Sequence, residues 1–168
     1  MKRIIFINGP LGIGKSALAN ELSNLLGHTT ECIDPDFYYN SSIGTFLLYG
    51  WPLQVNRFFI TYFRGIVEER LQYKELIIPI SITTEICKKE FLDYFREKTK
   101  VIHIVLETDE HTLLQRINCD SKRDKRYSIE TIESNRRFIN KNFEKDIHID
   151  TTNKSVFEIV NIIMEQYL

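Results

Sequence analysis

Apolar residues along this chain follow two rhythms. Short continuous runs rich in Ile and Val alternate with longer stretches whose apolar positions recur every three or four residues. The continuous run over Arg3–Asn8 (RIIFIN) predicts a buried strand, and Glu31–Asp34, Glu75–Ser81 (ELIIPIS), Lys100–Leu106 (KVIHIVL) and Ile147–Asp150 predict four more. Helical spacing predicts a helix over Lys15–Leu26, with Ala17, Leu18, Leu22, Leu25 and Leu26 on its apolar face. Further helices are expected over Ile43–Leu48, Trp51–Tyr73, Thr84–Glu97, Asp109–Asn118, Ile129–Phe143 and Ser155–Tyr167, with Asp109 as an N-cap. Strand alternating with helix predicts an α/β fold, a parallel sheet covered by helices on both faces. The 168 residues suit one domain over 1–168.

Composition narrows the function classes. A formal net charge of −1 supplies no basic field and argues against nucleic acid as the main partner. No apolar stretch approaches the length of about 20 residues that spans a membrane, so no membrane attachment is expected. Cys32, Cys87 and Cys119 lie far apart without metal-ligand spacing, which fits reduced thiols and a cytoplasmic location. A homodimer is compatible with the sequence.

One motif carries specific chemistry. Gly9-Pro10-Leu11-Gly12-Ile13-Gly14-Lys15-Ser16 satisfies the phosphate-loop pattern GxxxxGK[ST], between a predicted strand and a predicted helix. Glycines let the backbone close around phosphate, and amides at a helix start form an anion nest. Gly9, Gly12, Ile13, Gly14, Lys15, Ser16 and Leu18 are therefore expected to hold ATP. Lys15 would reach the β- and γ-phosphates, and the Ser16 hydroxyl would ligate Mg²⁺.

Other candidates gather around that loop. Asp34 and Asp36 follow the second strand, at the carboxyl end of a parallel sheet. Asp34 is assigned to the metal and Asp36 to a substrate hydroxyl as general base; the competing view is that both open a turn. The charged stretch Asp120–Tyr127 (DSKRDKRY), within a region of about 118–128, reads as a lid whose Arg123 or Arg126 approaches the transferring phosphoryl group. Arg116, Arg136 and Arg137 flank it, and Arg137 is assigned to the substrate. Acceptor-site helices are expected over about 37–73, where Asp36–Gly65 is dense in aromatic residues. Arg57 and Arg64, seven residues apart, share a helix face there and suit an aromatic or sugar-like acceptor with a polar tag. Most of those aromatics are read as core.

IIFINGPLGIGKS, ELIIPISIT, VIHIVLETDEHTLLQRI and FEKDIHIDTTNKSVFEIV, in this order along nearly the whole chain, resemble the small P-loop kinases of the shikimate-kinase and nucleoside-monophosphate-kinase type. Within that group the chain is most similar to the tunicamycin-resistance-protein-like family. The resemblance implies a three-layer P-loop NTPase fold with a five-stranded parallel sheet in the order 2-3-1-4-5, a short lid, and an acceptor site over strands two and three. It also implies that Arg116 stacks on adenine and that the loop with Thr152 and Asn153 flanks the base. The third strand departs from that pattern: it contains Pro79, ends in Ser81 and has no aspartate for the metal. Two activities follow as expectations. One is transfer of the γ-phosphate of ATP to a hydroxyl of a small metabolite, nucleoside or antibiotic; the other is ATP-dependent sequestration of a ligand without transfer. A regulatory GTPase is disfavoured, because neither DxxG nor NKxD occurs.

Overall fold

The structure is a computed structural model and describes residues 2–41, 57–120 and 129–168. The expected helix over Ile43–Leu48, the first turns of the one expected over Trp51–Tyr73, and the lid arginines Arg123 and Arg126 lie outside the described residues.

Five parallel strands form one sheet in the order β2-β3-β1-β4-β5: β1 (Arg3–Asn8), β2 (Thr30–Cys32), β3 (Glu75–Pro79), β4 (Lys100–Glu107) and β5 (Ile147–Asp150). The central register sets Ile5 against Ile77 on one side and Ile102 on the other. Parallel pairing requires crossovers, and helices supply them. These are α1 (Lys15–Leu26), α2 (Pro35–Ser41), α3 (Arg57–Leu71), α4 (Glu85–Cys87), α5 (Tyr94–Lys98), α6 (Glu110–Cys119), α7 (Ile132–Asn142) and α8 (Val156–Tyr167). A π-helical stretch, Lys88–Asp93, joins α4 to α5.

Alternation along the strands divides the core into two. Ile4 and Phe6 face a cluster with Phe59, Phe63, Phe91, Phe95 and Phe143. Ile5 and Ile7 face the other cluster, with Leu18, Leu22, Leu113, Ile117 and Val160. Phe63 stacks on Phe59 at 5.8 Å and on Phe91 at 5.4 Å, while Phe6 meets Phe91 edge-on. Each buried aromatic contributes about 1.5–3 kcal/mol of transfer free energy. Of the aromatic residues over 36–65, Phe59 and Phe63 are thus core, whereas Phe37, Phe58 and Tyr62 are exposed.

Several local features carry corrections. On α1 the buried residues are Leu18, Ala19 and Leu22. Ala17 and Leu25 face outward, because the stripe that meets the sheet runs one position further round the helix. Strand β2 is shorter than expected, although Ile33 N–H still donates to Ile77 O at 2.9 Å. Pro79 sits inside a sheet strand without penalty for a geometric reason. Ile80 N–H donates to Ile7 O, toward β1, so the neighbouring position 79 would donate toward β2, whose ladder has ended at Ile33. Three helices start on side-chain caps, of which the sequence predicted Asp109. Asp109 Oδ1 accepts from Thr112 N–H, Thr84 Oγ1 from Cys87 N–H, and Ser155 forms a capping box with Glu158.

Candidate functional site

The carboxyl end of β1 runs directly into the phosphate loop. Gly9, Gly12 and Gly14 all adopt positive φ, at 148°, 85° and 104°. Gly12 has a second reason to lack a side chain: a Cβ there would stand 2.5 Å from Cγ1 of Ile117 on α6. Gly14, left-handed, turns the chain into α1, whose first bond runs from Leu18 N–H to Gly14 O at 3.1 Å. Lys15 and exposed Ser16 therefore occupy the first turn of a helix, where amides lack internal partners. Lys15 Nζ donates to the carbonyls of Gly9 (3.0 Å) and Pro10 (2.9 Å), which keeps its ammonium over the loop. Ile13 and Leu18 are buried beneath it.

The loop is braced from two sides. Arg116, on α6, donates to Ile13 O at 3.2 Å, to Thr151 Oγ1 at 2.9 Å and to Thr151 O at 2.9 Å. One guanidinium thus ties the phosphate loop to the loop before α8, where Thr152 Oγ1 contacts Thr108 Oγ1 at 3.1 Å and Asn153 holds φ 54°. Arg116 is thus brought to the loop that carries Thr152 and Asn153. On the other side Asn8 is fully buried. Its Oδ1 accepts from Gly9 N–H (2.8 Å) and from Ile82 N–H (2.9 Å), and Ser81 Oγ donates to Gly9 O (3.3 Å). Sequence reading gave Asn8 no role at the site, since a strand-end carboxamide has no periodic signature, and took Thr151 only as part of the loop flanking the base.

The carboxylates lie at the end of β2. Asp34 Oδ1 accepts from Asp36 N–H at 2.9 Å, and Phe37 N–H donates to Asp34 O at 3.2 Å. Asp34 thereby opens α2, the turn-forming role foreseen for it as the alternative, and Asp36 is exposed in the first turn of that helix. No group of three or more His, Cys, Asp or Glu residues is arranged to hold a metal among the described residues.

The arginines divide by helix phase. Arg57 pairs with Glu90 at 2.9 Å, and Arg64 donates to Glu90 O at 3.4 Å and lies 4.2 Å over the Tyr94 ring. They share a face, as their spacing dictates, but it is the face that grips the π-helical stretch and α5. This differs from the acceptor contact expected of them. Arg137 likewise points outward: its side chain is 76% exposed and pairs with Glu133 at 2.5 Å. Arg136 turns inward and donates to Thr108 O. It lines a pocket of about 380 Å³ with Pro10, Glu107, Thr108, Asn140 and Asp150, between the phosphate loop and α7.

Two histidines stand on neighbouring strands. Burial pushes the His103 imidazole below its ordinary value, so its 3.2 Å contact with Asp146 joins a neutral donor to a carboxylate. The full ion pair of Asp146 is with Arg96 at 2.5 Å. Burial also works against protonation of His148, but the Phe143 carbonyl and the Glu107 carboxylate outweigh it and raise this group. Burial pushes the Cys32 thiol up to about 11 and the Cys87 thiol up to about 12, so both are protonated at neutral pH.

The tunicamycin resistance protein of Deinococcus radiodurans superposes with a TM-score of 0.78, at 20% identity, over 99% of this chain and 95% of that one. The chain has the P-loop small-molecule kinase fold. Two further members of that fold superpose closely. A sugar kinase from Janibacter sp. HTCC2649 gives a TM-score of 0.67 at 14% identity, over 98% of this chain and 93% of that one. A shikimate kinase from Acinetobacter baumannii, in complex with shikimate, gives 0.65 at 21% identity, over 98% and 92%. No family model and no curated protein sequence matches the chain. This P-loop kinase fold places the phosphate loop, the end of β2 and the inward face of α7 along one edge of the sheet, where open α/β sheets bind ligands. No described helix is long and apolar enough to cross a membrane.

Proposed function

We propose that this protein binds ATP at Gly9–Ser16 and transfers its γ-phosphate to a hydroxyl of a small-molecule acceptor. The observation that carries the reading is the phosphate loop itself. Three positive-φ glycines stand before a helix start, and the Lys15 ammonium is held over them by two backbone carbonyls. Those carbonyls are exchangeable partners: an ammonium that bonds two neutral oxygens gains by moving to charged ones.

The described residues fit a triphosphate with its metal. The loop leaves room for a Cβ at Gly14, with nothing within 4 Å, so this part of the nest is open. The Ser16 hydroxyl and the second oxygen of Asp34 are the groups we assign to magnesium, because Asp34 Oδ1 already serves the Asp36 amide. When bound, the metal would supply positive charge beside the phosphates. Asp36 accepts the proton of the acceptor hydroxyl as that oxygen attacks phosphorus. The bond from the γ-phosphorus to the bridging oxygen breaks, and ADP departs. Lys15, with Arg123 or Arg126, balances charge on the phosphoryl group, and Arg116, Thr152 and Asn153 border the base. Arg136, rather than Arg137, is the α7 arginine we assign to the cleft, since it faces the pocket beside Pro10.

A second reading keeps the ATP site but omits transfer. It is favoured by the β3 exit, where Ser81 and its bond to Gly9 O occupy a place without a carboxylate. One experiment separates the two: incubation with γ-labelled ATP, magnesium and a panel of hydroxylated metabolites, nucleosides and antibiotics. Labelled acceptor supports transfer; acceptor-dependent thermal shift without labelled product supports sequestration. Lys15→Ala is expected to abolish the ATP-induced thermal shift in either case. A full shift in that variant overturns the site.

A further inference from the structure

Asn8, beside the phosphate loop, is a fully buried polar side chain, at 0% exposure. Its oxygen is saturated and its nitrogen is not. Oδ1 accepts one amide from the phosphate loop, Gly9 N–H, and one from the segment leaving β3, Ile82 N–H, while Nδ2 finds no partner among the described residues. The two donors also fix which end of the carboxamide is oxygen, because only the oxygen accepts. A buried carboxamide with an unmet donor costs stability, and here that cost is offset because its oxygen satisfies two buried backbone amides.

The chain at 7–9 and the segment leaving β3 touch at two other points, one of them shared with Lys15. Ile80 N–H donates to Ile7 O at 2.9 Å, Ser81 Oγ donates to Gly9 O at 3.3 Å, and Gly9 O also receives Lys15 Nζ at 3.0 Å. The Gly9 peptide is therefore gripped at both ends. Its N–H is held by Asn8, and its C=O is shared between Ser81 of the β3 exit and the lysine assigned to the phosphates. Ile80, Ser81 and Ile82 are all buried, so this exit segment has little freedom apart from these bonds.

We propose that Asn8 is a positioning residue that couples the phosphate loop to residues 80–84, the segment that leads from β3 into α4. The coupling rests on the nucleotide reading above. When Lys15 leaves Gly9 O for a phosphate, that carbonyl is left to Ser81, and Asn8 holds Gly9 N–H against Ile82 N–H. Ordering of the nucleotide loop thereby tightens the β3 exit, with no carboxylate on that strand to do so. The β3 exit is thus ordered by the nucleotide before an acceptor arrives.

Hydrogen exchange with and without ATP and magnesium tests this. In the wild-type protein, nucleotide is expected to slow exchange by about tenfold both over 9–16 and over 80–84. Asn8→Ala is expected to keep the protection over 9–16 and lose it over 80–84. Asn8→Asp, which retains the accepting oxygen, is expected to restore it. Protection of 9–16 alone in the wild type overturns the coupling and leaves the nucleotide site standing, as does an Asn8→Ala variant with unchanged protection over 80–84. Protection of neither segment overturns the nucleotide reading and the coupling with it. Should Asn8→Ala fail to fold, the wild-type comparison still decides.

Discussion

Gly12 combines a φ of 85° with a contact that leaves no room for a methyl group. The obstructing atom, Cγ1 of Ile117, belongs to a buried branched side chain, so it cannot swing aside. Gly12→Ala is therefore expected to cost about 2–4 kcal/mol, the sum of left-handed strain and overpacking. Gly14→Ala, with equal strain but open space, is expected to cost about 1–2 kcal/mol. Urea melts of the two variants check the difference, and equal losses would show that Ile117 relaxes. The phosphate-loop glycines were legible in the sequence because their spacing is chemical. The choice between Arg136 and Arg137 was not. Adjacent residues on a helix point about 100° apart, and only the packing of Ile132 and Ile139 into the core sets which one faces inward.

Between elements, Arg116 has the widest reach. From α6 it bonds the phosphate loop at Ile13 and the loop before α8 at Thr151. The resemblance suggested a base-stacking arginine at this position; the structure adds that its guanidinium edge is committed to two loops. Arg116→Ala is expected to lower ATP affinity by about tenfold or more, since bonds to a charged donor are worth about 1.5–3 kcal/mol. Calorimetric titration with ATP checks this; wild-type affinity in the variant would remove the arginine from the site. The helices and strands themselves were largely readable from periodicity, and one cap from a single residue, Asp109. The π-helical turn at Lys88–Asp93 was not. A helix of either kind presents similar apolar spacing over so short a stretch, and the fit of Phe91 and Leu92 against Phe6 and Phe63 belongs to the assembled core.

At the scale of the whole molecule, stability should vary with pH through two histidines of opposite sign. His148 is raised in the folded state, so its contribution is fully present below its unfolded value of about 6.5 and is lost as pH rises through the folded value. His103 is lowered by burial, so its contribution is present above about 6.5 and is lost as pH falls toward the folded value. His148→Gln is thus expected to destabilise the protein more at pH 5.5 than at pH 8. Thermal melts across that range check it. A loss that grows with pH would mean that the Glu107 and Phe143 contacts do not favour the cation.

The sequence by itself determined the alternation of strand and helix, the phosphate loop and its ammonium, and the Asp109 cap. Each of these depends on neighbours in the chain, so a local pattern contains it. Tertiary structure alone decided which arginine turns inward, why Pro79 is tolerated beside a strand that has ended, and that Asn8 joins Gly9 to Ile82 across 74 positions of sequence. Those depend on which residues the sheet order brings side by side, and no window along the chain carries that distance.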